Sequence, residues 1–248
     1  MWPRVRAESG DMRRVVRGFW GPRQESAEEL AARWSATVER FAVLLPEAVG
    51  HAEWAWRTVP AAGAGETVGT DEASLLGALR TAREADPWAA ANGTSLRLLA
   101  TGLADGWKVE LAALAGGTPD SLLQSLVATI TAPDGASLPD AALLTVVAEV
   151  WQPDHGDVSD RTVTAALKKE AGFRVGTPSV GWVGYLSKGR AARIPADLAA
   201  ERVELPTEGV LLTIASPGDT AAVVEAYEAL RKSGALEPLP RPMKRPML

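Results

Sequence analysis

The feature that most constrains the fold is an apolar stretch that stops abruptly at a glycine–proline pair. Residues 12–20 contain β-branched and aromatic side chains, which favour a strand, and Gly21-Pro22 forces the chain out of that strand. Ser26 then precedes Ala27-Glu28-Glu29, a pattern typical of a capped helix start. The sequence therefore predicts a strand, a sharp exit and a helix.

The remaining elements are predicted from hydrophobic periodicity and from glycine- and proline-rich breaks. Helices are predicted near residues 27–45, 72–84, 138–151, 161–171 and 220–232, with an extended piece at Trp54 and Trp56. Strands are predicted at 95–100, 107–114, 122–131, 180–187 and 209–215, the first three as an antiparallel meander. Strands in clusters favour an α+β fold, a single domain with an antiparallel or mixed sheet packed by several helices. We expect this domain to cover residues 1–237, with 238–248 as an extended or disordered Pro-rich tail.

The charge of −5 is distributed unevenly along the chain. Residues 61–160 contain 4 Lys/Arg against 14 Asp/Glu, whereas the first 60 residues have a balance of +1 and the last 88 a balance of +4. An acidic middle argues against nucleic-acid binding and is compatible with a basic protein partner, although it is equally typical of a solvated acidic face. No apolar run is long enough to span a membrane or to form a signal peptide, so we expect a cytoplasmic protein.

Few residues in the chain point to catalysis. There is no cysteine, and the two histidines are His51 and His155. Asp154, His155 and Asp157 offer metal-ligand side chains, but their spacing fits no standard metal motif, and we interpret 153–157 as a turn after a helix. Nucleophile-elbow, phosphate-loop and dinucleotide-binding motifs are missing, so we predict neither enzymatic activity nor a cofactor.

Three motifs follow one another along the chain in a recognisable order. The first is Phe19-Trp20-Gly21-Pro22-Arg23 with the helix behind it, the second is Trp151-Gln152-Pro153-Asp154, and the third is residues 180–187. Together with residues 208–214 and 232–236, these motifs resemble the immunity protein 52 family of bacterial polymorphic-toxin systems, whereas 57–135 departs from the family pattern. We expect the signature residues to act mainly in the fold; they are Trp20, Gly21, Arg23, Trp151, Gly181, Trp182 and Tyr185.

The resemblance implies an α+β protein without enzymatic activity that binds and neutralises a cognate toxin, often a restriction-endonuclease-like nuclease. An acidic inhibitor would then occlude the basic groove of that nuclease. Acidic residues near turns, with one aromatic anchor, are the candidate contacts: Asp86, Trp88, Asp105, Glu110, Asp154 and Asp157. Two alternatives stay open, a small metal-dependent hydrolase using Asp154, His155 and Asp157, and a structural adaptor of a secretion system.

Overall fold

A computed structural model describes residues 12–46, 54–60 and 63–248. His51 lies outside the described residues. The strands are β1 (Met12–Trp20), β2 (Ala55–Thr58), β3 (Thr67–Val68), β4 (Thr94–Thr101), β5 (Lys108–Ala115), β6 (Gln124–Ala132), β7 (His155–Ser159), β8 (Val183–Leu186), β9 (Glu201–Glu204) and β10 (Val210–Thr213). The helices are α1 (Ala27–Leu44), α2 (Glu72–Ala85), α3 (Ala89–Asn92), α4 (Asp140–Trp151), α5 (Arg161–Glu170), α6 (Lys188–Ala191) and α7 (Thr220–Lys232).

The strands form one antiparallel sheet in the order β3-β2-β4-β5-β6-β1-β7-β8-β10-β9. Every neighbouring pair of strands is antiparallel. The predicted α+β fold is confirmed, and of the two predicted kinds of sheet, antiparallel or mixed, the sheet is antiparallel. The predicted meander is β4, β5 and β6. The first strand of the chain lies in the middle of the sheet, where it joins the meander to β7.

Helices α1, α2 and α4 pack on one face of the sheet. The β-strand alternation places Leu126, Ala128 and Ile130 of β6 on that face, where they are buried. Ser26 caps α1 in a reciprocal box with Glu29, because the Ser26 hydroxyl accepts from the Glu29 N–H and the Glu29 carboxylate accepts from the Ser26 N–H. The same face holds most of the hydrophobic core.

Residues 155–159 correct one prediction. We interpreted 153–157 as a turn, but His155–Ser159 is strand β7, paired with both β1 and β8. Its five residues are all buried, including a histidine, an aspartate and a serine. Polar and apolar residues alternate along this strand, but burial does not, because both faces of the strand are covered. On the polar face, Arg17 and Ser179 from distant segments bond the Asp157 carboxylate.

The tail, residues 238–248, contains no helix or strand but packs along the sheet. The Met243 N–H donates to the Asp120 carbonyl at 2.8 Å, and the Gly21 N–H donates to the Pro246 carbonyl at 2.8 Å. Leu239 and Met243 are buried. The tail therefore contacts the turn that follows β1.

Candidate partner-binding surface

The turn after β1 belongs to the hydrophobic core. Trp20 is fully buried, and its ring stacks on Trp151 with centroids 5.6 Å apart. The Arg23 guanidinium lies 4.9 Å from the centroid of the Trp20 ring and 3.1 Å from the Glu25 carboxylate. Burial, the largest effect, lowers the pKa of Arg23. A Cβ at Gly21 would lie 2.5 Å from the Arg245 carbonyl oxygen, so the close approach of the tail requires glycine there.

The other signature residues are buried as well. The Trp151 indole donates to Thr37 Oγ1 at 2.8 Å, and the Trp182 indole donates to the Asp140 carboxylate at 2.7 Å. Buried indole N–H groups need such partners, so these bonds fix α4 against α1 and the start of β8 against α4.

Gly181 and Tyr185 mark close approaches at β8. A Cβ at Gly181 would overlap the carbonyl oxygen of Val158. The buried Tyr185 ring lies where a Cβ at Gly209 would be. Both residues therefore set the spacing of the backbone around β8 rather than facing solvent.

Asp154 is a buried ionic centre. Its carboxylate accepts from Arg190 Nη2 at 2.6 Å, and neither side chain is exposed to solvent. It also accepts from the Leu248 N–H at 2.9 Å and the Ser187 hydroxyl at 3.3 Å. Burial alone would raise the pKa of Asp154, but the interactions with His155 and Arg190 outweigh it and hold the pKa at about 2.

Asp157 forms a second buried centre on β7. Both of its carboxylate oxygens accept from Arg17 Nε, at 3.0 and 3.1 Å. The hydroxyls of Ser159 and Ser179 donate to it at 2.8 and 3.1 Å. The coulombic attraction of Asp157 raises the pKa of Arg17. The Arg17–Asp157 pair links β1 to β7, and the Ser179 hydroxyl links Asp157 to the loop before β8.

The burial of Asp154 and Asp157 corrects two predictions. The folded protein does not present these carboxylates to a partner, so they are not contact residues. His155 Nδ1 lies 3.6 Å from Asp154, its ring stacks on Phe19 with centroids 5.4 Å apart, and burial lowers its pKa and favours the neutral form. Within the described ranges no three His, Asp or Glu side chains converge as metal ligands, and arginines already neutralise both carboxylates. The arrangement does not support the metal-dependent hydrolase.

The other four candidate contacts are accessible but dispersed. Trp88 is 48% exposed beside Asp86, whose carboxylate accepts the Trp88 N–H at 3.0 Å. This pair precedes β4, whereas Asp105 is exposed in the turn after β4, at the opposite end of the strand. Glu110 lies between them on β5 and pairs with Arg97 at 2.5 Å. Their role in binding stays a prediction.

Part of the acidic excess of residues 61–160 is neutralised by arginines from elsewhere in the chain. Ion pairs within 4.0 Å join five of its carboxylates to four arginines from the flanking segments: Asp140 and Asp160 to Arg14, Glu149 to Arg40, Asp154 to Arg190 and Asp157 to Arg17. Net charge along the chain is therefore a poor guide to the charge of the surface. No local pattern in the sequence indicates these pairs, because their partners lie far apart in it.

The feature that sequence analysis missed is an uncovered face of the sheet. On the face opposite α1, α2 and α4, the side chains of β1, β2, β4, β5 and β6 are at least partly exposed. No element in the described part of the chain covers these five strands. We call this surface the open face. At β7 it ends against the covered side of the sheet, where His155, Asp157 and Ser159 are buried.

Strand register arranges the open face in four cross-strand rows. The rows are Lys108–Thr131–Arg13, then Arg57–Leu99–Glu110–Thr129–Val15, then Arg97–Ala112–Val127–Arg17, and finally Ser95–Leu114–Ser125–Phe19. Phe19 is the single aromatic residue of these rows, and it stacks on His155 at the boundary with β7. The centre of the face consists of small apolar and hydroxyl side chains together with the Arg97–Glu110 ion pair.

A separate cleft of about 820 Å³ lies at the end of α7. Arg174, Arg193, Arg231 and Lys232 line it together with Tyr227. Arg193 pairs with Glu237 at 2.9 Å, and Arg231 lies 5.9 Å from the Tyr227 ring centroid. All four cations are solvent-exposed.

Comparisons with known proteins show the fold but no family. No family model matches the chain, so membership of the immunity protein 52 family is not confirmed, and no curated protein matches it either. Among solved structures, the chain is similar to the T6SS (type VI secretion system) protein PA0821 of Pseudomonas aeruginosa. The TM-score is 0.52 and the identity 13%, over 93% of this chain and 78% of that one. In the described residues, no helix combines the length and apolarity that membrane crossing requires.

Proposed function

We propose that this protein is an immunity protein, which binds a cognate secreted toxin and blocks it without catalysis. Three lines support the proposal: the ordered motifs that resemble immunity proteins, the similarity of the fold to a T6SS protein, and the open face. The first two are consistent with a role in toxin-based bacterial competition. The third supplies a surface on which a partner protein would bind.

The open face is the observation that carries the proposal. An antiparallel sheet with one face uncovered usually presents that face to water or to a partner. Here the ionisable residues that suggested catalysis, Asp154, His155 and Asp157, are sealed beneath the surface, whereas a broad five-stranded face is accessible. This distribution favours binding over catalysis.

The toxin class that we propose first is a restriction-endonuclease-like nuclease, because the resemblance implies it. Neutralisation would occur in the cytoplasm, where such a nuclease meets nucleic acid, and the bound protein would occlude the active groove. Asp86, Trp88 and Asp105 are accessible for secondary contacts outside the open face.

The test is co-expression with the toxin encoded beside this gene. We expect cells that produce both proteins to survive and cells that produce the toxin alone to die. Continued killing while both proteins are soluble would contradict the proposal. As a control for expression load, a soluble protein of similar size should give no protection.

Titration with purified proteins separates binding from catalysis. A binder should inhibit the toxin in proportion to its amount, with complete inhibition at a one-to-one ratio when both concentrations far exceed Kd. Complete inactivation by a small fraction of an equivalent would mean that this protein modifies or degrades the toxin, and it would refute a purely occluding mechanism.

A structural component of a secretion machine is the second candidate, because the similar solved structure is described as a T6SS protein. Such a subunit should form stable assemblies of its own. Size-exclusion chromatography with light scattering distinguishes the two candidates: large assemblies without toxin favour the component, and a small species that shifts on addition of toxin favours the immunity protein.

A further inference from the structure

The open face carries an excess of positive charge, in contrast to the acidic segment that forms most of it. Five cations lie on it, Arg13 and Arg17 on β1, Arg57 on β2, Arg97 on β4 and Lys108 on β5. The single carboxylate in its four rows is Glu110, which pairs with Arg97.

Three of these cations have no carboxylate partner. Arg17 is committed to Asp157, and Arg97 to Glu110. In the described segments, no carboxylate lies within ion-pair distance of Arg13, Arg57 or Lys108, and all three side chains are exposed, although Arg57 also donates to the Gly65 carbonyl at 2.8 Å. The net charge of the four rows is therefore positive, although the whole chain has a charge of −5.

The cations surround a centre that suits protein contact. Arg57 and Arg13 lie on the two outer strands of the face, and the central positions hold Ala112, Val127 and Thr129 beside the Arg97–Glu110 ion pair. Protein interfaces commonly combine a core with few unpaired charges and a polar rim. The open face resembles this arrangement, because the charges at its centre neutralise each other and the unpaired cations lie at its edges.

The size of the face also fits a specific interface. The sixteen positions of the four rows, on strands about 4.8 Å apart with rows about 6.8 Å apart, cover roughly 520 Å². A standard interface buries about 800 Å² per partner, so the rows would supply roughly two thirds of one and the loop edges the rest.

We propose that the open face binds a carboxylate-rich surface of the partner protein. This inference rests on the proposed function and refines it, because an acidic patch is not the basic groove of a nuclease. A nuclease toxin would then be held by an acidic flank beside its groove, and the body of this protein would block the groove sterically. Charge complementarity of this kind accelerates association and excludes wrong partners.

The same chemistry distinguishes a protein from a nucleic acid as the occupant. Single-stranded nucleic acid is usually bound by aromatic platforms, but the open face has one aromatic residue, Phe19, and its ring already stacks on His155. The three available cations lie on three different strands rather than in a continuous track. The centre of the face offers methyl and hydroxyl groups beside the neutralised Arg97–Glu110 pair, which suit a protein surface.

The charge test uses the double variant Arg13→Glu/Lys108→Glu. The matched control is Lys168→Glu/Lys169→Glu on α5, which makes the same change in net charge at exposed positions outside the four rows. Binding of the purified toxin of the neighbouring gene is measured by surface plasmon resonance at several salt concentrations. We expect the face variant to lower the association rate about tenfold and to weaken its salt dependence, and the control to change it less than about twofold.

The position test uses Ala112→Tyr, which adds bulk at the centre of the face without changing its charge. Tyrosine is favoured on exposed strands, so the variant should fold, and an unchanged melting temperature verifies this. We expect loss of binding and of protection. Normal binding by Ala112→Tyr would exclude the open face as the interface.

The possible outcomes separate this inference from the proposed function. If the wild-type protein neither binds the toxin nor protects cells, the proposed function fails. If it does both and the face variants behave like the control, only the present inference is overturned. Three other outcomes would also overturn the inference. Tighter binding by Arg13→Glu/Lys108→Glu would indicate a basic partner, and a mobility shift of a DNA oligonucleotide by the wild type would indicate a nucleic acid. A wild-type dimer that Ala112→Tyr disrupts would indicate that a second copy of this chain occupies the face.

Discussion

Replacement of Arg190 by methionine tests the buried ionic centre at the start of β7. Methionine retains an apolar stem of similar length and removes the guanidinium that lies 2.6 Å from Asp154. The carboxylate would keep only the Ser187 hydroxyl, the Leu248 N–H and the neighbouring imidazole of His155, in a site from which water is excluded. Removing one partner of a fully buried pair costs about 3–5 kcal/mol, so we expect a loss of that size in the free energy of unfolding.

The pH dependence supplies an independent magnitude. The pKa of Asp154 is about 2 in the folded protein, against an ordinary value of 3.8. Because the pKa of Asp154 is lower in the folded protein, the unfolded chain binds the proton more tightly. The ionised carboxylate therefore stabilises the fold fully above about pH 4, and this stabilisation is lost as the pH falls towards 2. A pKa difference of this size corresponds to about 2.5 kcal/mol in the free energy of unfolding. In Arg190→Met this part of the acid dependence should be largely absent.

The assay is urea unfolding at pH 7 and at pH 3, followed by the fluorescence of the nine tryptophans. Arg193→Met is the matched control, because Arg193 also pairs with a carboxylate, Glu237, but the two side chains are 40% and 62% exposed. An exposed pair contributes about 0–1 kcal/mol, so the control should lose little stability. Equal losses in the two variants, or an unchanged acid dependence in Arg190→Met, would refute the reasoning.

Three further predictions concern the buried signature residues. Trp20→Ala should lower the free energy of unfolding by about 3–5 kcal/mol while leaving toxin affinity per folded molecule unchanged; normal stability with lost binding would place the turn in the interface. Trp182→Phe removes the indole N–H that bonds Asp140 and should cost about 1–3 kcal/mol in thermal or urea unfolding, whereas no change would mean that water replaces the donor. Gly181→Ala brings a methyl group against the Val158 carbonyl and should lower the melting temperature by several degrees; a wild-type value would show that the backbone yields at little cost.

Local patterns were sufficient to predict the elements whose faces are clearly amphipathic. Helix α7 begins and ends where predicted, at Thr220 and Lys232, and the meander of β4, β5 and β6 follows from its alternation and its turn residues. The glycine–proline exit after Trp20 likewise marks the end of β1. In these segments one face is buried and the other is exposed to solvent, so the hydrophobic periodicity is sufficient to predict the type of element.

Strand β7 and the surface charge could not be predicted in this way. Asp157 is buried because Arg17, 140 residues earlier in the chain, neutralises it. A local reading sees only Asp, His and Gly after a proline, which is the composition of a turn. The charge of residues 61–160 did not predict the charge of the surface for the same reason. Long-range ion pairs neutralise several of its carboxylates, and the open face carries a positive net charge.

The central position of β1 has a consequence for the order of folding. Strand β1 is synthesised before both of its partners, because β6 is completed at Ala132 and β7 begins at His155. Contacts of such long sequence separation slow folding, because closing a long loop costs conformational entropy before the contact forms. Until β7 emerges, one edge of β1 has no strand to pair with, and unpaired edges promote aggregation. During synthesis, the interval between β6 and β7 is therefore the stage at which we expect this chain to depend most on chaperones.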